Sequence, residues 1–280
     1  MGVIRNLTGG VRTTLERHAR AAAWATLVVN MAIVVTGGLV RLTGSGLGCP
    51  TWPQCQSGSL VPHGSISIHK AIEFSNRMVT PVITIAVLAA LIAVWRMAQR
   101  RYALWILAGV AAQAVLGGIT VRIELNPWIV SAHLIVSMIM IAASAALVIS
   151  LYEALPRPDL LAQAQFAATF LVITLGTVVT GAGPHAGDEH VKRNGLSALQ
   201  TAQLHADAVF LLCGLTIALV VVRRSRASSA LLAAVVANGA IGFVQYFTHL
   251  PIALVAVHML GATLVMAAST WVLLDRPRAE

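Results

Sequence analysis

Three histidines stand inside segments that otherwise carry no charged residue or almost none: His133, His205 and His258. A polar ring in an apolar helix needs a hydrogen bond or a metal, and residues of this kind in membrane helices mark functional sites. Their spacing repeats. Gly117 precedes His133 by sixteen residues, and Gly242 precedes His258 by sixteen. Imidazoles at one depth on paired helices point to haem ligation inside four-helix bundles, with His205 and His258 an axial pair in the C-terminal half. In the N-terminal half, His133 needs a partner. His205 precedes His258 by fifty-three residues, and counting back from His133 falls nearer to Asn76 than to His69. Asn is a poor iron ligand beside imidazole. Either His69, about two turns earlier on roughly the same face, takes the role, or one strong ligand holds that haem.

Both residues lie in "IHKAIEFSNR", where His69, Glu73 and Arg77 follow at four-residue steps and so share a helix face. Glu73 either neutralises Arg77 or Lys70, or is a carboxylate beside a cofactor pocket with its proton affinity tuned by Arg77 and burial. Arg41, Arg77 and Arg122 fall near the same helix ends and suit haem propionates, which guanidinium binds bidentately, or snorkel to the interface. In the loop "GSGLGCPTWPQC", Cys49 and Cys55 are close enough in sequence to bridge, and the loop is a candidate lid over the N-terminal pocket. Cys213 reads as a packing residue. His18, His63, His185 and His190 fall in the basic arm and the loops, where solvated roles are expected. No compact His/Cys set has structural zinc spacing.

The elements that position these groups follow from composition. The 280 residues are 58% hydrophobic and 10% charged, far from the roughly 25% charged of soluble chains. Uncharged blocks cover 21–40, 78–95, 102–121, 125–152, 160–187, 208–222 and 227–274. The last is long enough for two crossings, broken at Thr248-His249-Leu250-Pro251. At about 20 residues per crossing, eight transmembrane helices are expected. The string VVTG recurs in the first and fifth helices, "AVLGGITV" parallels "GAIGFVQY", and Pro127 and Pro251 each open the next helix. These matches predict an all-α membrane protein of two pseudo-symmetric four-helix bundles in parallel orientation. Thirteen of the nineteen Lys and Arg fall in segments on the N-terminal side of the membrane, which predicts both termini cytoplasmic and a multi-pass bacterial cell-membrane protein with haem sites near the outer face. The expected divisions are a basic arm (1–20), an N-terminal bundle (21–152), a linker (153–162), a C-terminal bundle (163–275) and a tail (276–280). The net charge of +9 is the same inside bias. Nucleic-acid binding is excluded, because no basic patch is interleaved with aromatics. The N-terminus does not read as a cleavable signal, since its basic arm leads into a full-length helix.

Taken together, the eight-helix plan, "TGGLVRLTGSGLGCPTWPQC", "IEFSNR", "VSAHL", "TGAGPHAGD", "LHAD" and "VHMLGA" resemble the heme A synthase family, most closely its actinobacterial branch, over roughly 20–275. The resemblance implies oxidation of the C8 methyl of heme O to a formyl group by successive hydroxylation. It implies heme b on His205 and His258, and substrate heme O at His133 and the start of the second helix. It also implies a catalytic glutamate at Glu73 and a disulfide between Cys49 and Cys55. Membrane lipid is the surroundings, heme O synthase and cytochrome oxidase assembly factors are candidate partners, and an oligomer is compatible with the pattern. Two departures stand out: Asn76 occupies the position of a family histidine, and the third outer loop has no second cysteine pair. The rival reading is a non-enzymatic dihaem cytochrome exchanging electrons with quinone, which needs neither Glu73 nor the cysteine loop. A repeat-built transporter would instead be expected to break its helices near the midplane.

Overall fold

A computed structural model describes residues 2–188 and 190–275, with side chains from Leu15 onward. The tail 276–280 with Arg276 and Arg278, and the side chains of Arg5 and Arg12, lie outside the described residues. Eight helices follow in order: α1 Gly2–Leu42, α2 Ile68–Val94, α3 Arg100–Arg122, α4 Pro127–Ser150, α5 Leu160–Ala182, α6 Ala198–Arg223, α7 Arg226–Phe247 and α8 Ile252–Leu274. All eight contain a stretch long and apolar enough to cross a membrane, so the chain is a multi-pass membrane protein. The basic arm is no separate segment, because α1 runs without a break from Gly2.

Helix starts are written in the caps. The side chains of Ser67, Asn126, Asp159, Ser197 and Ser225 each accept a hydrogen bond from a backbone N–H of the first turn, covering donors that the helix cannot. The long connections are 43–67 and 183–197, and both lie at one end of the molecule with the α3–α4 and α7–α8 turns; "the loop end" is used for it below. The α3–α4 and α7–α8 turns have the same backbone. Glu124 and Leu125 (φ 53° and 58°) match His249 and Leu250 (φ 63° and 58°). The Leu125 N–H reaches Thr120 O at 2.9 Å, and the Leu250 N–H reaches Gln245 O at 2.7 Å. Two consecutive non-glycine left-handed residues cost about 1–2 kcal/mol each, so this shared turn is held by its surroundings rather than by propensity.

Helix contacts form two closed rings, α1-α2-α3-α4 and α5-α6-α7-α8. Helices α1 and α4 also touch α8, and α4 touches α5, which joins the rings. Among the described residues no contact is made across either ring, between α2 and α4 or between α6 and α8. Because lipid is as apolar as Leu, such rings are held by close packing and interhelical hydrogen bonds. Asn30 on α1 donates to Ser144 on α4 at 3.1 Å, and Ser269 on α8 donates to Gln165 on α5 at 3.1 Å. The buried core includes Ile106, Met138, Ile141 and Met266, with a second cluster around Leu212, Leu219 and Leu231. Cys213 packs beside the latter, as expected.

The Pro127–Pro251 match does not hold in register. Pro127 is the first residue of α4, while Pro251 precedes α8 as its cap. By the shared turn, Pro251 corresponds to Asn126.

Candidate functional site: two diagonal pairs at one depth

In the α5–α8 ring, His205 and His258 sit on the two diagonal helices. His205 lies seven residues into α6, and His258 lies six residues into α8. Both depths are about 9–11 Å along the helix. Each imidazole is held the same way. His205 Nδ1 lies 3.0 Å from Val172 O on α5, and His258 Nδ1 lies 3.1 Å from Asn238 O on α7. Donating Nδ1–H to a carbonyl leaves Nε2 as the free lone pair, the arrangement that orients metal-ligating histidines. A glycine one turn beyond each acceptor makes room for the ring. A methyl added at Gly176 would lie 3.2 Å from His205 Cε1, and one at Gly242 would lie 3.2 Å from His258 Cε1. Two oriented Nε2 atoms on helices that do not touch fit a bis-histidine haem. Among the described residues no cluster of three His, Cys, Asp or Glu could hold a bare metal ion.

The α1–α4 ring repeats the plan with changes. His133 lies six residues into α4 and Asn76 eight residues into α2. A methyl at Gly117 would lie 3.6 Å from His133 Cε1, as at Gly242. The hydrogen bond at Nδ1 is missing, however. Gln113 corresponds to Asn238, and its side chain donates to His133 O at 2.9 Å and to Ser137 Oγ at 2.5 Å. His133 Nδ1 is buried with no hydrogen-bond partner among the described residues. Asn76 stands against α1, where Thr36 Oγ1 donates to its Oδ1 at 2.7 Å. His69 is one residue into α2, exposed, and its Nδ1 lies 3.1 Å from Ser45 Oγ. It is thus two turns nearer the helix end than Asn76.

The loop 43–67 closes over this ring. Cys49 and Cys55 form a disulfide. Trp52, joined to Pro53 by a cis peptide, lays its indole on Gly118, where an added methyl would be 2.7 Å away; Gly118 adjoins the glycine under His133. Glu73, 5% exposed, anchors the loop. Its Oε2 accepts the Cys49 N–H at 2.6 Å, and its Oε1 accepts Arg77 Nε at 3.2 Å and Nη2 at 2.5 Å. Arg77 then donates to the carbonyls of Thr51, Gln54 and Cys49 at 3.0, 3.1 and 2.9 Å. The expected cluster of Glu73 and Arg77 therefore exists, and both residues are engaged with the lid.

Arg41 reaches the other half. Its Nε donates to His185 O and its Nη2 to Thr180 O, both at 2.8 Å. Arg122 is exposed at the end of α3. His185 is half-buried rather than solvated, with Nε2 3.0 Å from Leu250 O; it tucks the α5–α6 loop against the α7–α8 turn, which no sequence pattern announces. Thr36 and Gln113 are equally silent in the sequence. Only Gly176, one helical turn past the residue that accepts from His205, carries a signal, and the partner helix must be known to read it.

A profile of the cytochrome oxidase assembly protein family matches residues 20–270. The chain is 34% identical over 146 residues to a heme A synthase of Lysinibacillus sphaericus, covering 49% of this chain and 47% of that protein. It is 35% identical over 138 residues to a heme A synthase of Listeria welshimeri, covering 46% and 45%. It is 32% identical over 124 residues to a heme A synthase of Geobacillus thermodenitrificans, covering 42% and 38%. The alignments thus span less than half the length of these curated relatives. The profile, by contrast, runs from the first membrane helix nearly to the end of the last, and the chain belongs to the cytochrome oxidase assembly protein family.

Proposed function

We propose that this protein is a heme A synthase, a membrane oxidoreductase that converts the C8 methyl of heme O to the formyl group of heme A. The observation that carries this reading is the difference between two similar rings. The C-terminal ring has two imidazoles, each oriented by a carbonyl. The N-terminal ring has one, His133, without an orienting acceptor among the described residues, beneath a disulfide-closed lid. A hydrogen-bond partner behind an imidazole strengthens and fixes it as a ligand. A resident cofactor fits the first ring, and a molecule that must enter and leave fits the second.

In this reading His205 and His258 hold heme b, and His133 binds the iron of heme O. The resident haem, when bound, supplies one-electron redox capacity. The protein's own residues orient the substrate macrocycle, exclude water beneath Trp52, and place Glu73 as the carboxylate at the pocket wall. There Glu73 accepts a proton or balances positive charge developing on the oxidised carbon. Arg77 holds that carboxylate against the lid, and Arg122, exposed at the same end, is the free guanidinium for a propionate. The two rings are read as an internal repeat, domains 21–152 and 163–275. The shared left-handed turns and the common offset of Gly117/Gly242, His133/His258 and Ser144/Ser269 support this. Both termini are assigned to the cytoplasm by the Lys/Arg distribution, which puts the loop end and both haem sites at the outer face.

The test is co-expression with a source of heme O, extraction, and chromatography of the haems. The wild-type chain is expected to yield hydroxylated and formyl products, and Glu73→Ala to accumulate heme O. Heme O alone from the wild type would favour the electron-carrier reading, and wild-type product levels from Glu73→Ala would remove the role given to Glu73.

A further inference from the structure

The α2 side of the N-terminal site is unlike its counterpart. His205 bonds Val172 O and lies over Gly176, one turn on. On α1, the glycine beside Asn76 is Gly37. A methyl there would be 3.9 Å from Asn76 Oδ1 and 4.0 Å from Nδ2, against 3.2 Å for His205 over Gly176. The carbonyl one turn before Gly37, Ile33 O, has Thr36 Oγ1 at 3.3 Å, and the single Thr36 hydroxyl proton goes to the nearer acceptor, Asn76 Oδ1 at 2.7 Å. Asn76 is therefore fixed where a histidine would stand, with its oxygen occupied by a hydroxyl donor. Its amide nitrogen is not basic, and it ends one bond nearer the backbone than Nε2 of a histidine. His69 cannot make up the difference in this arrangement, being two turns away and bonded to Ser45.

We infer that Asn76 is not an iron ligand and instead faces an open coordination position, so that a haem held by His133 binds a small uncharged exogenous ligand of the size of carbon monoxide on its α2 side. This rests on the reading of the N-terminal ring as a haem site. The C-terminal haem, closed on both faces by His205 and His258, has no such position. The two sites of one chain thus differ in kind: His205 and His258 would both ligate a haem held between them, whereas the other site would admit a ligand beside a carboxamide whose N–H groups are hydrogen-bond donors.

The full chain, purified in detergent and loaded with haemin, tests this by haem-to-protein ratio and by carbon monoxide difference spectra after dithionite reduction. Two haems per chain are expected, of which one binds carbon monoxide. Asn76→His should retain both haems, convert the second to a six-coordinate low-spin spectrum and abolish the carbon monoxide band. His69→Ala should leave both the ratio and the band unchanged. Two haems with no carbon monoxide band in the wild type would overturn the inference alone, and a band gained on His69→Ala would name His69 as the ligand. A single haem per chain, lost with His205 or His258 and indifferent to His133, would overturn the two-site reading and the inference with it.

Discussion

At the scale of single residues, the site is defined by what lies behind each imidazole. His205 and His258 have a carbonyl at Nδ1 and a glycine under Cε1, so ring orientation is set before any iron arrives. Replacing Gly242 by Val adds bulk where even a methyl is 3.2 Å from His258 Cε1, and two more carbons follow it. The expected result is at least a tenfold weaker retention of one haem, about 1.4 kcal/mol or more, with the fold intact by circular dichroism. Titrating haemin into the purified variant measures it. Gly117→Val should act more weakly on the other site, since the contact there is looser at 3.6 Å. The triplet of Gly, His and spacing was legible in the sequence. The carbonyl acceptors were not, because Val172 and Asn238 offer backbone atoms that every residue type possesses.

At the scale of elements, helix ends carry the polar chemistry that the spans exclude. Asp159 caps α5 through Ala162 N–H at 2.9 Å and pairs with Arg223 Nη2, at the end of α6, at 2.6 Å. Arg223 is 7% exposed and also donates to Val272 O on α8 at 2.8 Å, so one guanidinium joins three helices at the end opposite the loops. Burial pushes the Asp159 carboxyl up, but the Ala162 N–H and the Arg223 guanidinium outweigh it and hold the group below its ordinary value. A depressed carboxyl stabilises the fold above the unfolded-state value and loses that contribution as pH falls through the folded one. Thermal unfolding in detergent should therefore fall between pH 5 and pH 3 (about the carboxylate range), and Asp159→Asn should flatten that part of the profile. An equal slope in the variant would assign the acid sensitivity elsewhere. In the sequence, Arg223 reads only as one more inside positive charge, and nothing there pairs it with Asp159.

At the scale of the whole molecule, the two rings are joined through α1, α4, α5 and α8 and stitched at the loop end. Gly46 N–H bonds Gly187 O at 2.9 Å, and Arg41 crosses from α1 to Thr180 O and His185 O. These guanidinium bonds cover carbonyls at the end of α5 and in its loop; without the donor Thr180 O keeps the Gly183 N–H at 3.3 Å, whereas the half-buried His185 O loses its partner, at about 1 kcal/mol or more. Arg41→Met is expected to lower the unfolding temperature of the whole chain while leaving the haem ratio at full loading unchanged. A lost haem with unchanged unfolding would instead make Arg41 a propionate ligand.

The sequence alone determined the eight spans, the histidines at repeated spacing and the cysteine pair, because apolar length and Gly-to-His separation are local or periodic quantities. Only the tertiary structure decided that His205 lies two turns inside α6, that His69 stays at the end of α2 while Asn76 stands at the depth of His133, and that Glu73 and Arg77 grip the lid. Those facts depend on which carbonyl, glycine or hydroxyl of a neighbouring helix meets each side chain. Nothing in the residue itself encodes the answer until the helices are packed.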